Sequence, residues 1–506
     1  MQNSKIKKII NFKNVKSFFS KISKKKKIVH CHGVFDLVHP GHFRHFEFCK
    51  SKGDVLVVSL TSDKFIEKGL YRPLIPENLR AKNLAALELV DYVIIDNKKH
   101  PYVLINNIKP NFFAKGLEYS NLKNPLTVEE KKTVEKIGGK MLFSPGDTVF
   151  SSTKLINDLI PTFTYEKLKL YLDSTKINFN DLKTSISSLK DIKVHIIGDL
   201  IVDTISNCNV VGGLHKTPTL SVAINNSKNY VGGAGVVAKH FRSFSKNVTL
   251  TTILGNDDLG KLALQDLKKH SININHVIEE DRPTTNKNSF YADKYKLLKV
   301  DRVNNENINE KTQNFIKDRI KTIKADIVVF SDFRHGIFNK NSIPVFIKSI
   351  DKRSFKVADS QVASRWGNIL DFKNFDLITP TEKEARFSIR EQDLPIRPLA
   401  DELLKQNKSN NIILKLGEKG LISLNKGRKD YISLDPLTDN IIDTNGSGDA
   451  LLAFASAILF KTKSLILSSI IGIIAASCKC ENEGNKPVSI TQMFVKIDSI
   501  KKMLNL

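Results

Sequence analysis

Short apolar runs alternate with amphipathic stretches through the first third of the chain. The runs predict strands, the first ending at Ile28-Val29 and the others at DVLVVSL, DYVIID, NFFAKG and KMLFS. Helical spacing of apolar residues follows from His42 and in ENLRAKNLAALELV and EEKKTVEKIGG. Strands that alternate with helices predict a parallel, doubly wound α/β sheet. In such a sheet ligands bind at the carboxyl ends of the strands.

The second half of the chain repeats this alternation. Apolar strands ending in polar or glycine-rich residues are predicted at IKVHIIGDLIVD, NYVGGAGVVAKHF, LTTILGNDDLGK, IVVFSDFRHG, FKVADSQ, FDLITPTEKEA and NIILKLGEKGLISL. Most of them are followed by a helical stretch, which again indicates an α/β fold. The longest apolar runs, ALLAFASAILF and IIGIIAASCKC, are too short to span a membrane and predict core helices.

A chain of 506 residues exceeds one ordinary hydrophobic core, so we expect two domains. Residues 1–27 predict a basic N-terminal helix or extension, and residues 28–158 the first α/β domain. Residues 159–190 contain no chemical motif and predict a helical connector. Residues 191–506 then form the second α/β domain.

The formal net charge of +26 comes mostly from lysine spread over the whole chain. No arginine-rich helix and no interleaving of basic and aromatic residues accompanies it, so we expect no specific nucleic acid partner. Five scattered cysteines indicate neither a disulfide framework nor a zinc ligand set. With no signal-peptide pattern, the sequence predicts a reducing, cytoplasmic location without membrane attachment. A homodimer is compatible with the sequence, which does not fix the oligomeric state.

The segment CHGVFDLVHPGHFRHF places two histidines, His39 and His42, at a predicted strand-to-helix turn. The first amides of a helix have no internal partners and carry partial positive charge, so such a turn can bind an anion. Two imidazoles beside it could stabilise phosphate charge in a transition state. Two surface histidines near a turn are the simpler alternative. Lys115 and the stretch Ser151-Ser152-Thr153 fall at comparable positions, where Ser-Ser-Thr is also a helix N-cap signal.

The segment IIDTNGSGDALLAFASAILF contains a small-residue turn, residues 445–448, before a long apolar helix. Small residues let a phosphate approach the backbone amides closely. Asp449 follows in the first helical turn, where it could accept the proton of a sugar hydroxyl during phosphoryl transfer. An ordinary capped helix is the simpler alternative.

The first domain resembles the nucleotidyltransferase domain of the heptose-phosphate enzymes of lipopolysaccharide precursor synthesis, within a superfamily that includes glycerol-phosphate cytidylyltransferases. The resemblance rests on HGVFDLVHPGH, TSD, RPLIPENLRAKNLAALELVDYVI, AKGLEY and FSSTKLI. It implies a Rossmann-like domain that binds a nucleoside triphosphate with magnesium. His39 and His42 would stabilise charge on the α-phosphate. The implied nucleotide-loop and phosphate contacts are Phe35, Arg80, Lys115, Ser152 and Thr153.

The second domain resembles the ribokinase-type sugar kinases, on the blocks GDLIVD, GGAG and DTNGSGD. The resemblance implies that Asp449 is the catalytic base. The other implied contacts are the anion-binding residues Asn445, Gly446, Ser447 and Gly448, the sugar-binding residues Asp203, Gly232 and Gly233, the ATP-side residues Lys415, Gly417 and Gly420, and Glu384, which would order Mg²⁺ through water.

Four positions depart from the heptose-phosphate kinase pattern. The family usually has Asn, Arg, Lys and Asn where this chain has Val236, Ser289, Gln361 and Thr381. Three of them lie on the sugar side, so the acceptor pocket differs while the ATP-side motif is intact. The domain order is also the reverse of that in the bifunctional heptose enzymes.

These features predict a bifunctional enzyme of nucleotide-activated sugar synthesis. An ATP-dependent sugar kinase would make a sugar 1-phosphate, and the nucleotidyltransferase would activate it with ATP or CTP and release pyrophosphate. The alternative is a cytidylyltransferase for an alcohol phosphate joined to a sugar kinase of different specificity. A nucleic-acid-binding or regulatory protein on the same folds is a third hypothesis, which the two intact motifs disfavour.

Overall fold

The computed structural model describes residues 8–22, 25–66, 71–116, 119–120, 124–144, 164–213, 220–293, 295–362, 367–427, 431–438 and 440–504. The chain divides into two compact units, Met1–Phe163 with Asp393–Ile396, and Thr164–Gln392 with Arg397–Leu506. Over the described residues, no helix has both the length and the hydrophobicity that a bilayer crossing requires.

The first unit is one parallel sheet with helices between its strands. The strands are β1 (Ile9–Ile10), β2 (Ile28–Gly33), β3 (Val55–Thr61), β4 (Tyr92–Asp96), β5 (Phe112–Gly116) and β6 (Lys140–Ser144). The helices are α1 (Val15–Phe19), α2 (Pro40–Lys52), α3 (Glu77–Ala85), α4 (Tyr102–Ile108) and α5 (Pro125–Lys136), with short 3₁₀ helices at Phe12–Asn14 and Asp63–Phe65.

The strand order in this sheet is β1-β4-β3-β2-β5-β6, and every neighbouring pair is parallel. Strand β3 is buried along its whole length, as expected for a sheet covered on both faces. The predicted doubly wound α/β fold is confirmed. Strand β2 lies where the order reverses, between β3 and β5, so the crevice at its carboxyl end is the expected ligand position.

The N-terminal extension adds a strand to the sheet as well as the predicted helix. Strand β1 pairs with β4 at the sheet edge, and Ile10, Val15 and Phe19 are buried against the sheet and α4. Lys25, Lys26 and Lys27 are exposed. The apolar positions therefore anchor the extension, and the lysines remain in solvent.

The second unit contains two sheets. Its strands are β7 (Lys193–Gly198), β8 (Leu200–Gly213), β9 (Leu220–Gly233), β10 (Asn247–Leu254), β11 (Asn273–Ile278), β12 (Asn286–Ala292), β13 (Tyr295–Arg302), β14 (Ile327–Asp332), β15 (Phe355–Ser360), β16 (Leu377–Ile378), β17 (Asn411–Lys415), β18 (Leu421–Asn425) and β19 (Ile432–Leu434).

Its helices surround the larger sheet and are numbered on from the first unit. They are α6 (Thr164–Thr175), α7 (Phe179–Ser187), α8 (Ala234–Arg242), α9 (Asp258–Lys269), α10 (Glu310–Thr322), α11 (Ser342–Ser349), α12 (Glu382–Ile389), α13 (Ile396–Asn407), α14 (Ser447–Thr462), α15 (Leu465–Cys480) and α16 (Ile490–Met503). Short 3₁₀ helices lie at Ile369–Asp371 and Gly417–Lys419.

The larger sheet has nine strands in the order β11-β10-β7-β14-β15-β16-β17-β18-β19. It is parallel from β11 to β17 and antiparallel at β18 and β19. The smaller sheet has the order β13-β12-β8-β9, with β8 parallel to β12 and the other pairs antiparallel. The second predicted α/β architecture is therefore confirmed, with an added four-stranded sheet.

Two helices occupy the stretch for which a helical connector was predicted, and they belong to the second unit. Leu168 and Leu172 of α6, and Leu182 and Ile186 of α7, are buried in the same core as the strands of the nine-stranded sheet. Lys167 also donates to Asp435 across 2.8 Å. The connector prediction is therefore incomplete, because helical periodicity alone does not show what a helix packs against.

Arg80, predicted to hold a phosphate, is 1% exposed in α3. Its Nη2 donates to the Asp63 carboxylate at 2.7 Å and to the Thr61 carbonyl at 2.9 Å. Its other nitrogens donate to the carbonyls of Val34 and Ile75. The guanidinium thus joins three loops of the first unit, and contact with a phosphate would require these bonds to be exchanged.

We predict that a fragment starting at residue 164 melts cooperatively, whereas one starting at residue 191 does not fold. Removing α6 and α7 exposes apolar side chains that each contribute about 1.5–3 kcal/mol when buried. Four such side chains rival the ~5–15 kcal/mol stability of a whole domain. Calorimetry of the two fragments tests this, and equal melting of both would contradict the packing role of α6 and α7.

We predict that Arg80→Met destabilises the protein by about 3–5 kcal/mol, since it removes the ion pair between the guanidinium and the buried Asp63 carboxylate. The matched control is Lys50→Met, which removes a more exposed ion pair with Asp91 and costs about 1 kcal/mol or less. Urea unfolding followed for both variants measures the difference. An Arg80→Met protein of parent stability with weakened nucleotide binding would restore the phosphate role.

Candidate active sites

The first candidate site is the start of α2, at the carboxyl end of β2. His39 is the N-cap residue, and its Nδ1 accepts from the amide of Gly41 at 3.2 Å. His42 Nδ1 accepts in return from the amide of His39 at 3.3 Å. The two imidazole centroids are 3.9 Å apart. The motif therefore forms a reciprocal capping box in which histidines replace the usual serine and glutamate.

Burial determines the protonation state of both rings, and the capping hydrogen bonds determine their tautomer. Burial, and then the neighbouring His39 and His45, lower the pKa of His42 to about 3. Burial and the charge of Arg44 lower the pKa of His39. Both rings are therefore neutral at pH 7. Because each Nδ1 accepts a hydrogen bond, the single ring proton lies on Nε2, which leaves an N–H donor on each ring.

Phe35 and Asp36, in the same loop, support the histidines. Phe35 has a left-handed φ of 49°, and its ring meets that of His42 edge-on at 5.2 Å. Its burial among core residues favours a packing role. The Asp36 carboxylate accepts from the amides of Leu74 at 3.0 Å and Ile75 at 2.9 Å. Asp36 therefore ties a second loop to the histidine loop.

Lys115 lies at the carboxyl end of β5, the strand next to β2. Its ammonium forms an ion pair with the buried Glu130 and lies 4.6 Å from the Tyr119 ring centroid. A nucleotide phosphate would have to compete with Glu130 for this ammonium. Ser152 and Thr153, the other predicted phosphate contacts, lie outside the described residues.

Two polar residues near this site were not predicted to take part in it. His32 bonds Ser59 Oγ at 2.8 Å and Thr61 Oγ1 at 3.1 Å, which links β2 to β3. Burial raises the pKa of Asp96, at the end of β4, to about 7. Asp96 Oδ2 is buried and has no hydrogen-bond partner among the described residues. The position of Asp96 directly after the run DYVII is the sequence signal that could have identified it.

The second candidate site is the turn before α14. Gly446 is the N-cap residue with φ +77°, a conformation that favours glycine. The amide of Asn445 donates to Asp443, and that of Ser447 to the Thr444 carbonyl. Among the described residues, the amides of Gly446, Gly448 and Asp449 have no acceptor. These three amides are therefore open to an anion, while the amides of Asn445 and Ser447 stabilise the turn.

Asp449 follows this turn and carries an unusual proton affinity. Burial, together with the charges of Asp359 and Asp203, raises its pKa to about 7, although Lys415 and Lys479 oppose the change. A carboxylate with this pKa is suited to accept a proton near neutral pH. The amides, the carboxylate and two ammonium groups thus lie around the same helix start.

Lys415, at the end of β17, contributes one of these ammonium groups. It donates to Asp359 at 2.9 Å, and its Nζ lies 3.3 Å from the point where a Cβ on Gly448 would stand. Burial disfavours its charge, but Asp359 and Glu384 outweigh this and raise the pKa of Lys415. Glu384 also forms a capping box with Thr381, whose amide donates to Oε2 at 2.7 Å.

The two ATP-side glycines follow Lys415 in a tight loop. Gly417 and Gly420 both have positive φ, +62° and +82°. A Cβ on Gly420 would lie 2.0 Å from the carbonyl of Leu434, so no larger residue fits there. The space around Gly417 is open. The first glycine therefore leaves room beside Lys415, and the second closes the loop onto β19.

The predicted sugar-side residues lie together on the paired strands β8 and β9 of the smaller sheet. Asp203 of β8 accepts from Asn485 Nδ2 at 2.8 Å. A Cβ on Gly232 would lie 2.2 Å from Asp203 Oδ2, so only glycine leaves room for the carboxylate at this position. Gly233, with φ +55°, passes close to the Asp199 carbonyl. Asn485, which the sequence analysis missed, also reaches the turn, since its Oδ1 is 3.5 Å from the Cβ position of Gly446.

Lys479 was also missed, and it lies behind the same turn. Its side chain is fully buried, and its Cε is 3.6 Å from the Cβ position of Gly446. Its ammonium donates to the Asn482 carbonyl at 3.2 Å and is 3.9 Å from Asp443. Burial lowers its pKa, while Asp443 and Asp449 favour the charge. A lysine inside the apolar run IIGIIAASCKC is the signal that could have identified it.

Comparisons with known proteins agree with this division. The pfkB family carbohydrate kinase model matches residues 191–491, and the cytidylyltransferase-like model matches residues 30–158. Bifunctional protein HldE of Sulfurimonas denitrificans is 26% identical over 309 residues, 60% of this chain and 63% of its own length. Bifunctional protein HldE of Geobacter metallireducens is 40% identical over 143 residues, 28% of each chain. The chain thus spans less than two thirds of the length of these relatives.

The second unit also resembles solved structures. Escherichia coli phosphofructokinase-2, in a crystal structure with potassium, aligns with a TM-score of 0.51 and 16% identity over 61% of this chain and 99% of its own. At this identity the likeness shows the fold alone. The family match itself extends over more than half of the chain, from β7 to the start of α16. The chain therefore belongs to the pfkB family of carbohydrate kinases.

Proposed function

We propose that the chain is a bifunctional enzyme that phosphorylates a sugar with ATP and joins a nucleotide to the resulting sugar 1-phosphate. The observation that carries the proposal is that each unit has a helix start with hydrogen-bond donors held in place, imidazole N–H groups in the first unit and open backbone amides in the second. These are the His39–His42 pair in the first unit and the turn from Gly446 to Asp449 in the second. The likeness to proteins named bifunctional supports the pairing of two activities.

In the kinase half, the amides of Gly446, Gly448 and Asp449 bind the γ-phosphate of ATP. Asp449 takes the proton of the attacking sugar hydroxyl, the new P–O bond forms, and ADP leaves with the electrons of the broken bond. Lys415 faces the negative charge on the ATP side, next to Gly417 and Gly420. Asp203, placed by Gly232 and Asn485, accepts hydrogen bonds from sugar hydroxyls, with Gly233 shaping the same pocket. Lys479 packs against Gly446 and supports the turn from its buried side.

Magnesium fits the carboxylates of the second unit. Glu384 has one oxygen in its capping box, and Mg²⁺ prefers hard oxygen ligands with several waters retained. Glu384 would therefore act through water, and Asp359 lies within the same charge cluster. When bound with ATP, the ion would neutralise part of the charge on the phosphates.

In the nucleotidyltransferase half, a sugar 1-phosphate oxygen attacks the α-phosphorus of ATP or CTP, and pyrophosphate leaves. The attacking oxygen is already ionised, so no base is needed. The Nε2–H groups of His39 and His42 donate to the α-phosphate as its charge grows. Lys115 would exchange Glu130 for phosphate, with Ser152 and Thr153 as further contacts, while Phe35 holds His42 in place.

We propose a sugar that differs from heptose 7-phosphate, because three of the four departures from the heptose-phosphate kinase pattern lie on the sugar side. Val236 is buried in α8, and Thr381 is the N-cap residue of α12. Val236 lacks the amide that the family has at its position, and Thr381 caps the helix that carries Glu384. A cytidylyltransferase for an alcohol phosphate, joined to an independent sugar kinase, is the second candidate. For the assembly we propose a homodimer, which exposed apolar residues of the smaller sheet such as Val211 and Leu298 support.

We predict that His39→Asn lowers nucleotidyl transfer by roughly a hundred- to thousandfold, the scale of losing one preorganised donor. Asparagine is itself a good N-cap residue, so the start of α2 is kept while the Nε2 donor is lost. Steady-state pyrophosphate release measures the effect, and the sugar kinase rate of the same variant is the control. Equal loss of both activities, or retention of both, would contradict the proposed role.

We predict that Asp449→Asn lowers phosphoryl transfer by about 10²–10⁴-fold with ATP affinity little changed, because the turn amides remain. In the parent the rate rises with pH through about 7, since only the ionised carboxylate accepts the proton. This rise should be absent in the variant. Single-turnover rates at saturating ATP and sugar give both results.

The matched control for this experiment is Asp258→Asn, at an exposed helix start in the same unit. It should leave the rate and its pH dependence unchanged. A near-parent rate for Asp449→Asn would remove Asp449 from the base role and leave it as a helix-start residue.

A further inference from the structure

The first unit contains a cluster of sulfur and nitrogen ligands that the sequence spacing did not indicate. Cys31 on β2 and His45 and Cys49 on α2 bring their Sγ and imidazole nitrogen atoms within 4.8 Å of one another. Both cysteines are buried, and His45 is half-exposed. The sequence analysis expected no metal ligand set, because it could not anticipate that α2 packs its one-turn pair of His45 and Cys49 onto Cys31.

The imidazole of His45 has the orientation of a metal ligand. Ser144 Oγ lies 2.8 Å from His45 Nδ1 and 3.4 Å from the Lys115 carbonyl. The serine hydroxyl has one proton, and when it donates this to the carbonyl it accepts the Nδ1–H of His45. The lone pair then lies on Nε2, which faces Cys49 Sγ at 3.7 Å. Such hydrogen bonding of the far ring nitrogen is the usual support of a metal-binding histidine.

The distances between the ligand atoms and the charges of the two thiolates favour zinc over a monovalent ion. Zinc bonds to sulfur at about 2.3 Å and to imidazole at about 2.0 Å, so adjacent tetrahedral ligands lie roughly 3.5–3.8 Å apart. The distance from Cys49 to His45 already has this value, and a small movement of Cys31 would complete the set. Two thiolates and a neutral imidazole cancel the charge of a divalent ion, which matters at a buried site. A monovalent ion would leave a buried negative charge.

We propose that Cys31, His45 and Cys49 bind one zinc ion. Binding releases the two thiol protons to solvent and forms two Zn–S bonds and one Zn–N bond. Among the described residues no fourth side chain of the ligand type joins these three, so water completes the tetrahedron on the half-exposed side of His45. The ion would fasten β2 to α2 one helical turn behind His42, and so brace the helix start that presents the two histidines.

The test uses the full chain, purified without chelators and then incubated with zinc. Metal analysis by mass spectrometry should find about one zinc per chain, and cobalt substitution should give the sulfur-to-cobalt charge-transfer band of a thiolate site. Cys49→Ser and His45→Gln should each lose most of the bound metal. The matched control is Cys208→Ser, a buried cysteine of the second unit, which should keep it.

Three results would overturn the proposal. The first is a chain that retains only traces of zinc, and the second is equal retention of zinc by the parent and the His45→Gln variant. His45 is half-exposed, so this variant is informative even where Cys49→Ser fails to fold. The third is an intact mass of the untreated protein two hydrogens lighter than the reduced chain and restored by reductant, with no metal bound, which would indicate a Cys31–Cys49 disulfide instead.

Discussion

Both candidate sites depend on one constraint, which is that the first amides of a helix have no partners within that helix. The start of α2 lies at the carboxyl end of β2, and the start of α14 lies beside Lys415 at the end of β17, so both helix starts lie at the edge of a parallel sheet where ligands bind. In this chain the two helix starts are held differently. In the first unit the side chains of His39 and His42 cap the helix themselves. In the second, Asp443 and the buried Lys479 hold the turn while the amides of the glycines remain open.

Holding these donors in place also sets the protonation states around them. The capped histidines are buried enough to be neutral, so each offers one N–H with a defined direction. Asp449 is surrounded by other carboxylates, and its pKa rises to about 7 in spite of Lys415 and Lys479. The first site therefore consists of donors and the second of donors with one proton acceptor. This difference matches an ionised phosphate as the nucleophile in one reaction and a neutral hydroxyl in the other.

Much of the architecture could be predicted from the sequence, because apolar periodicity determines which segments are strands and helices. The strands predicted in residues 28–144 correspond to the observed strands β2 to β6, whereas the helix α4 (Tyr102–Ile108) was not predicted. The packing partners could not be predicted in this way. The sequence of α6 and α7 shows only that they are amphipathic helices, and we therefore predicted a connector. In the structure they complete the core of the second unit.

For the sites, the motifs indicated where the two candidate phosphate-binding turns lie, while long-range contacts decide what each side chain can do. Arg80 has the charge of a phosphate ligand, but Asp63 and three carbonyls occupy it. Lys479, Asn485 and the cluster around His45 depend on contacts between distant segments, which no local pattern shows.

The central claim is that one chain both phosphorylates a sugar and activates the product. Phosphorus NMR of the full chain with Mg²⁺, ATP, CTP and a panel of sugars and sugar phosphates tests it most directly. The account predicts a new sugar phosphate resonance with ADP, followed by pyrophosphate and the paired resonances of a nucleotide-linked sugar. A spectrum in which ATP and CTP stay unchanged with every acceptor, or in which a sugar 1-phosphate accumulates without pyrophosphate, would contradict it.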